Sequence, residues 1–179
     1  DIGSKIALED INNNVVTDTL AVDGSYVNNQ GQTYGFKYKR NIYAAYLSST
    51  FSLFSNFLLG NAGLRYERTN TTANFVGVTI PDYNIFAPSF TVQHQFSDDN
   101  SIKFAYNYRI ERPDYEELNP FFNISDPHNI SVGNPFLKPE ISNRYELGYN
   151  KNFNNGANLY LSGYYRYNTD DIQPLTTFH

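Results

Sequence analysis

The sequence predicts an all-β chain whose antiparallel strands run up and down in order, and three observations carry that expectation. Segments along the whole chain alternate apolar and polar side chains with a period of two, as Ile102, Phe104, Tyr106, Tyr108 and Ile110 do against Lys103, Ala105, Asn107, Arg109 and Glu111. The connections alternate too: short turns near 55, 99 and 155 are interleaved with long polar excursions near 20, 75 and 125. Aromatic residues make up 17%, with 16 Tyr and 14 Phe, while Trp, Met and Cys are absent and mean hydropathy is −0.52. Soluble cores lean on aliphatic residues, whereas a wall that is aromatic on one side and wet on the other suits a transmembrane β-barrel.

Each element follows in order. Ile2, Ser4, Ile6 and Leu8 oppose Lys5, Ala7 and Glu9 in an opening strand. From about 12 to 33, the clusters NNN, DG and NNQGQ signal a long loop with room for a short hairpin through Thr19 to Val27. A long strand is expected from about Tyr34 to Phe54, where Tyr43, Ala45, Leu47, Phe51 and Leu53 oppose Ala44, Ser48, Thr50 and Ser52. A tight turn at 54–56 leads to the strand Phe57 to Thr69, which sets Leu58, Leu64 and Tyr66 against Asn61, Arg65 and Glu67. The excursion 70–83 precedes the strand Asn84 to Ser97, polar at Ser89, Thr91, Gln93 and Gln95, and 98–100 turns the chain into the strand through Ile102 and Ile110. The excursion 113–139 carries prolines at 113, 120, 127, 135 and 139. These exclude a regular helix or a central strand, and they favour a fixed loop over a floppy one. Then Tyr145, Leu147 and Tyr149 alternate against Arg144, Glu146, Gly148 and Asn150. A turn at 153–156 uses Asn-Gly, which tolerates positive φ. The last strand, Ala157 to about Asp171, places Leu159, Leu161, Tyr165 and Tyr167 opposite Asn158, Ser162, Arg166 and Asn168.

That makes about seven strands. No apolar run approaches the roughly 18 residues of a membrane helix, so a bilayer would be crossed by strands. Barrel strands zigzag between unequal compartments, so 54–56, 98–100 and 153–156 are expected as periplasmic turns and 12–33, 70–83 and 113–139 as extracellular loops. A lipid-facing Arg or Lys near the midplane costs about 2–4 kcal/mol, so Arg65, Lys103, Arg109 and Arg144 should face the lumen. His94 shares the lipid-facing parity and is expected near an interface. Strands longer than the roughly 9–11 residues needed to cross should stand above the membrane.

The absence of cysteine excludes disulfides, thiol nucleophiles and Cys-based metal sites. A net charge of −5 argues against a nucleic-acid partner. No Lys/Arg-led apolar leader opens the chain at Asp1, so either a mature product or, by preference, a piece of something longer is expected. Asp114, Glu116 and Glu117 invite a paired-carboxylate hydrolase reading, but they sit on a loop without a nucleophile motif, and an acidic loop is the better account. His94, His128 and His179 lack metal-ligand spacing, and the triplets at Asn70, Asn123 and Asn129 match the glycosylation pattern as Asn-rich chains do by chance. No catalytic, cofactor or metal residue is therefore expected. The ligand or lumen candidates are Arg65, Glu67, Lys103, Arg109, Glu111, Arg112, Tyr115, Phe121, Phe122, Arg144 and Glu146. For the charged strand residues a lumenal network pairing wall with wall or plug is favoured over a substrate path. For Phe121 and Phe122, packing on the barrel rim is favoured over exposed ligand contact.

The runs YNYRIERPDYEELNPF, SDPHNISVGNPFLKPE and NRYELGYN resemble the C-terminal barrel half of TonB-dependent outer-membrane receptors, particularly the outer-membrane β-barrel family of Bacteroidota. The resemblance covers roughly Tyr83 to Asp171 and, more weakly, Asn41 to Thr69. It implies a segment, about a third, of a barrel of about 22 strands in the outer membrane of a Gram-negative bacterium. It further implies energised uptake of a nutrient of siderophore, glycan or peptide class, with the lipid bilayer as surroundings. The implied partners are a plug domain of the same full-length protein, the TonB energy-coupling complex and a surface lipoprotein. Two rival expectations are a non-transporting barrel of adhesive or structural type and a soluble carbohydrate-binding β-sandwich. The loop alternation speaks against the sandwich.

Overall fold

The computed structural model describes residues 1–74, 79–124, 126 and 129–177. Its strands are β1 (Ile2–Val15), β2 (Asp18–Leu20), β3 (Tyr26–Asn28), β4 (Tyr34–Leu53), β5 (Leu58–Ala73), β6 (Tyr83–Ser97), β7 (Asn100–Glu111), β8 (Glu140–Asn152) and β9 (Asn158–Thr169), with one helical turn, α1 (Tyr115–Leu118), between β7 and β8. One antiparallel sheet of seven strands runs in the order β1-β4-β5-β6-β7-β8-β9, and β2 and β3 pair as a separate hairpin. The sheet does not close on itself: β1 and β9 are its edges. With 20 residues, β4 extends about 65 Å, well beyond a hydrocarbon core of about 30 Å.

Register fixes the faces, because opposed residues share a side of the sheet. On one face Leu47, Leu64 and Pro88 lie opposite one another in turn, as do Val92, Phe104 and Leu147. The ladder Phe90, Tyr106, Tyr145, Tyr165 crosses four strands of the same face, with successive ring centroids 5.6, 5.0 and 6.4 Å apart. Near the turn between β4 and β5, the ring of Phe57 lies 3.9 Å from that of His94, whose Nδ1 is 2.6 Å from the Phe57 carbonyl. This face stays uncovered: Ile6, Leu8, Leu47 and Leu161 are all more than half exposed. A soluble sheet would bury such a face, so its solvent is not water.

The packed core lies on the opposite, charged face, where Phe36, Tyr38, Ile80 and Leu118 form a buried cluster at the loop end of the sheet. Tyr38 and Phe36 on β4 share this face with Glu9 and Arg40, which oppose each other across β1 and β4.

The short turns use positive φ at Phe54, Ser55 and Asn56, and at Gly156, where the Asn-Gly pair anticipates it. Two boundaries and one element differ from expectation. β1 continues to Val15, pairing Asn12–Val15 with Tyr34–Lys37, so the loop expected from about 12 opens at 16. Likewise β5 reaches Ala73, and the excursion expected from 70 begins later. In both places polar side chains suggest a loop, but the ladder is made by backbone groups and tolerates Asn and Thr where both faces are wet. Proline does exclude a long helix from 113–139, yet α1 forms between Pro113 and Pro120. Asp114 caps it in a capping box with Glu117.

Candidate functional site

After β7 the chain does not leave the sheet but folds back across the loop end of its charged face. Leu118, 2% exposed, is pressed onto Phe36 and Tyr38 by α1. Around it the ring of Phe121 stacks on Tyr34 at 4.2 Å, and Tyr115 lies 6.1 Å from Phe36. The returning segment closes on α1: Gly133 donates to the Asn119 carbonyl and Asn134 to the Glu117 carbonyl, at 2.8 and 2.6 Å. A side chain at 133 would run into the Glu117 and Glu116 carbonyls, so only glycine fits this approach. Phe121 packs in this layer, but its neighbour Phe122 is 65% exposed. The expectation that both pack therefore holds for one ring, because adjacent residues of an extended segment point apart.

Two arginines anchor this cover. Arg40 binds Glu9 Oε2 at 2.8 Å and donates to the Pro113 carbonyl at 2.7 Å, joining β1, β4 and the loop. Arg112 pairs with Glu67, donates to Thr69 Oγ1 at 3.3 Å and lies over the Tyr83 ring at 6.0 Å. Arg65 pairs with the other oxygen of Glu67, so two guanidinium groups flank one carboxylate that is only 6% exposed. A cavity of about 340 Å³ remains between cover and wall, lined by Tyr38, Arg40, Tyr83, Ile85, Leu118 and Leu137 among others.

Farther toward the turns the charged face is more open. Arg144 pairs with Glu146 at 3.1 Å and stacks over the Tyr164 ring at 5.1 Å. Lys103 and Arg109 make no ion pair among the described residues, and Glu111 faces Glu140 across β7 and β8. The structure thus gathers Arg65, Glu67, Arg112, Tyr115 and Phe121 at the covered end and leaves Lys103, Arg109, Arg144 and Glu146 along the wall below. Tyr115 donates its hydroxyl to Glu116 Oε1 at 2.9 Å, which holds its pKa above the ordinary phenol value.

Chemically, this arrangement offers hydrogen-bonding, cationic and aromatic contacts. The carboxylates of Asp114 and Glu117 accept backbone N–H groups of the capping box. No group of three His, Asp or Glu among the described residues could hold a metal. His128 and His179, with Ser125 and Pro127, lie outside the described residues. Sequence reasoning missed Glu9, Tyr38, Arg40, Ile80 and Leu118. Arg40 shares parity with Ala44 and Ser48, which was a legible signal, but its pairing with Glu9 needs the register of two strands. Leu118 follows the pattern Asp114-x-x-Glu117, a readable helix start.

A family model described as outer membrane protein beta-barrel family matches residues 1–178. No curated protein and no solved structure matches the chain.

Proposed function

The chain belongs to the outer membrane protein beta-barrel family, so it sits in the bacterial outer membrane, and from that premise we propose that it is the wall of an energised nutrient receptor. The apolar face meets lipid, since an outward apolar band with aromatic girdles is what a transmembrane barrel presents, and the charged face is the lumen. In this reading the short turns are periplasmic and the long loops extracellular. A plug domain of the full-length protein fills the lumen, and the TonB complex supplies energy through it. The bound nutrient is of siderophore, glycan or peptide class, and a surface lipoprotein can serve as the first point of capture. The wall does no catalysis.

One observation carries the reading: the loop between β7 and β8 is folded inward over the lumenal face and held there by Arg40, Arg112 and Leu118. A pore for free diffusion needs an open mouth. A receptor needs a structured one, and ordering it in advance lowers the entropy cost of capture. The test is genetic. In a strain without a competing receptor, deleting the gene abolishes uptake of one nutrient, and so does removing the energy-coupling protein. Uptake of every candidate nutrient surviving both deletions would sink the proposal.

A further inference from the structure

Below the covered mouth, the lumenal face of β7–β9 concentrates positive charge in an arrangement that sheet energetics alone does not favour. Arg144 and Arg166 are direct cross-strand partners on β8 and β9, and like charges in that relation repel. Arg109 stands diagonally across β7, since it opposes Ser142, two residues before Arg144. Lys103 continues the line six residues farther along β7, about 20 Å away at roughly 3.4 Å per residue. It borders a depression of about 240 Å³ where Gly148 lies beneath Tyr160.

Of these four cations, Arg144 alone makes an ion pair among the described residues, with Glu146, and its Nε is buried without a hydrogen-bond partner. The Tyr164 ring holds the guanidinium plane of Arg144, while Lys103, Arg109 and Arg166 are exposed. The remaining carboxylates of these strands on this face, Glu111 and Glu140, oppose each other at the loop end, above the arginines. An anion with two or more acceptor oxygens offsets the repulsion between the arginines and satisfies their forked donors.

We propose that Arg109, Arg144 and Arg166 form a binding site for carboxylate or phosphate groups, with Lys103 extending it toward the turns as a track along the lumen wall. The inference deepens the receptor reading and rests on it for the direction of traffic, by assigning an anionic ligand class.

The experiment is equilibrium dialysis of labelled citrate and of inorganic phosphate against the full-length protein in non-ionic detergent, with no energy source. Failure of transport and failure of binding are then separate results. Arg109→Gln and Arg166→Gln are each expected to weaken binding of at least one anion about tenfold, with heat-modifiable migration retained. Arg166→Lys should keep part of the affinity. Lys5→Gln, which removes the same charge from the lumenal face of β1, should leave binding unchanged. Absence of binding by the unaltered protein overturns the proposal, as does an equal loss in Lys5→Gln. So does a carbodiimide crosslink, formed without ligand in the Arg166→Lys variant, from position 166 to a carboxylate outside β7–β9. That product would mean an acidic segment of the protein already fills the track.

Discussion

Glu67 illustrates how one side chain can hold a wall and its cover together. Its carboxylate receives Arg65 from its own strand and Arg112 from the loop, in a site with little water. Removing one member of such a cluster leaves the others desolvated and unmatched. Glu67→Gln should therefore cost about 1–3 kcal/mol, read as a lower urea midpoint in detergent micelles. An unchanged midpoint would mean that water replaces the carboxylate at no cost. Tyr38 presents the opposite case: it is fully buried and its hydroxyl has no hydrogen-bond partner among the described residues. Tyr38→Phe should leave stability unchanged or raise it by about 1 kcal/mol, and a clear drop in the same unfolding measurement would reveal a hydroxyl contact. At the tip of the β2–β3 hairpin, Asp23 accepts from the Ser25 hydroxyl and N–H at 2.7 and 3.0 Å. The Ser25 side-chain bond above all, with the backbone bond beside it, holds the Asp23 carboxyl below its ordinary pKa. This support is present above the unfolded-state pKa and is lost as pH falls through the lower folded value. The protection factor of the Ser25 amide, its exchange rate taken against the intrinsic rate at the same pH, should fall only in that acid range, and a fall near neutral pH would contradict the assignment.

At the scale of elements, the loop from β7 to β8 is the part with a decision built into it. Its single helical turn is too short to persist on propensity alone, so it depends on the capping box and on burial of Leu118. Leu118→Ala removes most of that burial and should cost the cover about 2–4 kcal/mol while leaving the strand ladders intact. Limited proteolysis in native membranes would then cut this loop faster with no loss of the heat-modifiable form. Equal protection of both proteins would show that the arginine anchors suffice. The strands were legible almost entirely from the period of two, and α1 was legible in part through Asp114 and Glu117. The fold-back was not, because proline spacing limits which structures a loop can take without choosing where it lies.

For the whole molecule, the two faces of one sheet decide its surroundings. The apolar face cannot be satisfied by water, and the charged face cannot be satisfied by lipid, so the sheet is stable only between the two. The absence of cysteine makes this directly measurable. Leu47→Cys should resist an aqueous maleimide in the membrane and react once the protein is unfolded, while Ser48→Cys, its neighbour on the other face, should already react in the folded protein. Identical reactivity at both positions would defeat the assignment of faces. The unpaired edges at β1 and β9 present backbone donors and acceptors that hydrocarbon cannot satisfy, so in the membrane each must meet another strand.

The sequence by itself determined the strands, the parity of their faces, the alternation of short and long connections and the membrane that these require. Each is a local property, since side-chain direction repeats every two residues and a turn is announced by the few residues that make it. Only the tertiary structure decided which residues meet: Arg112 with Glu67 across 45 positions, Arg40 with Pro113 across 73, and Leu118 beneath the cover. Such contacts depend on the registers of several strands together and on the path of a loop between them. No local pattern carries that sum.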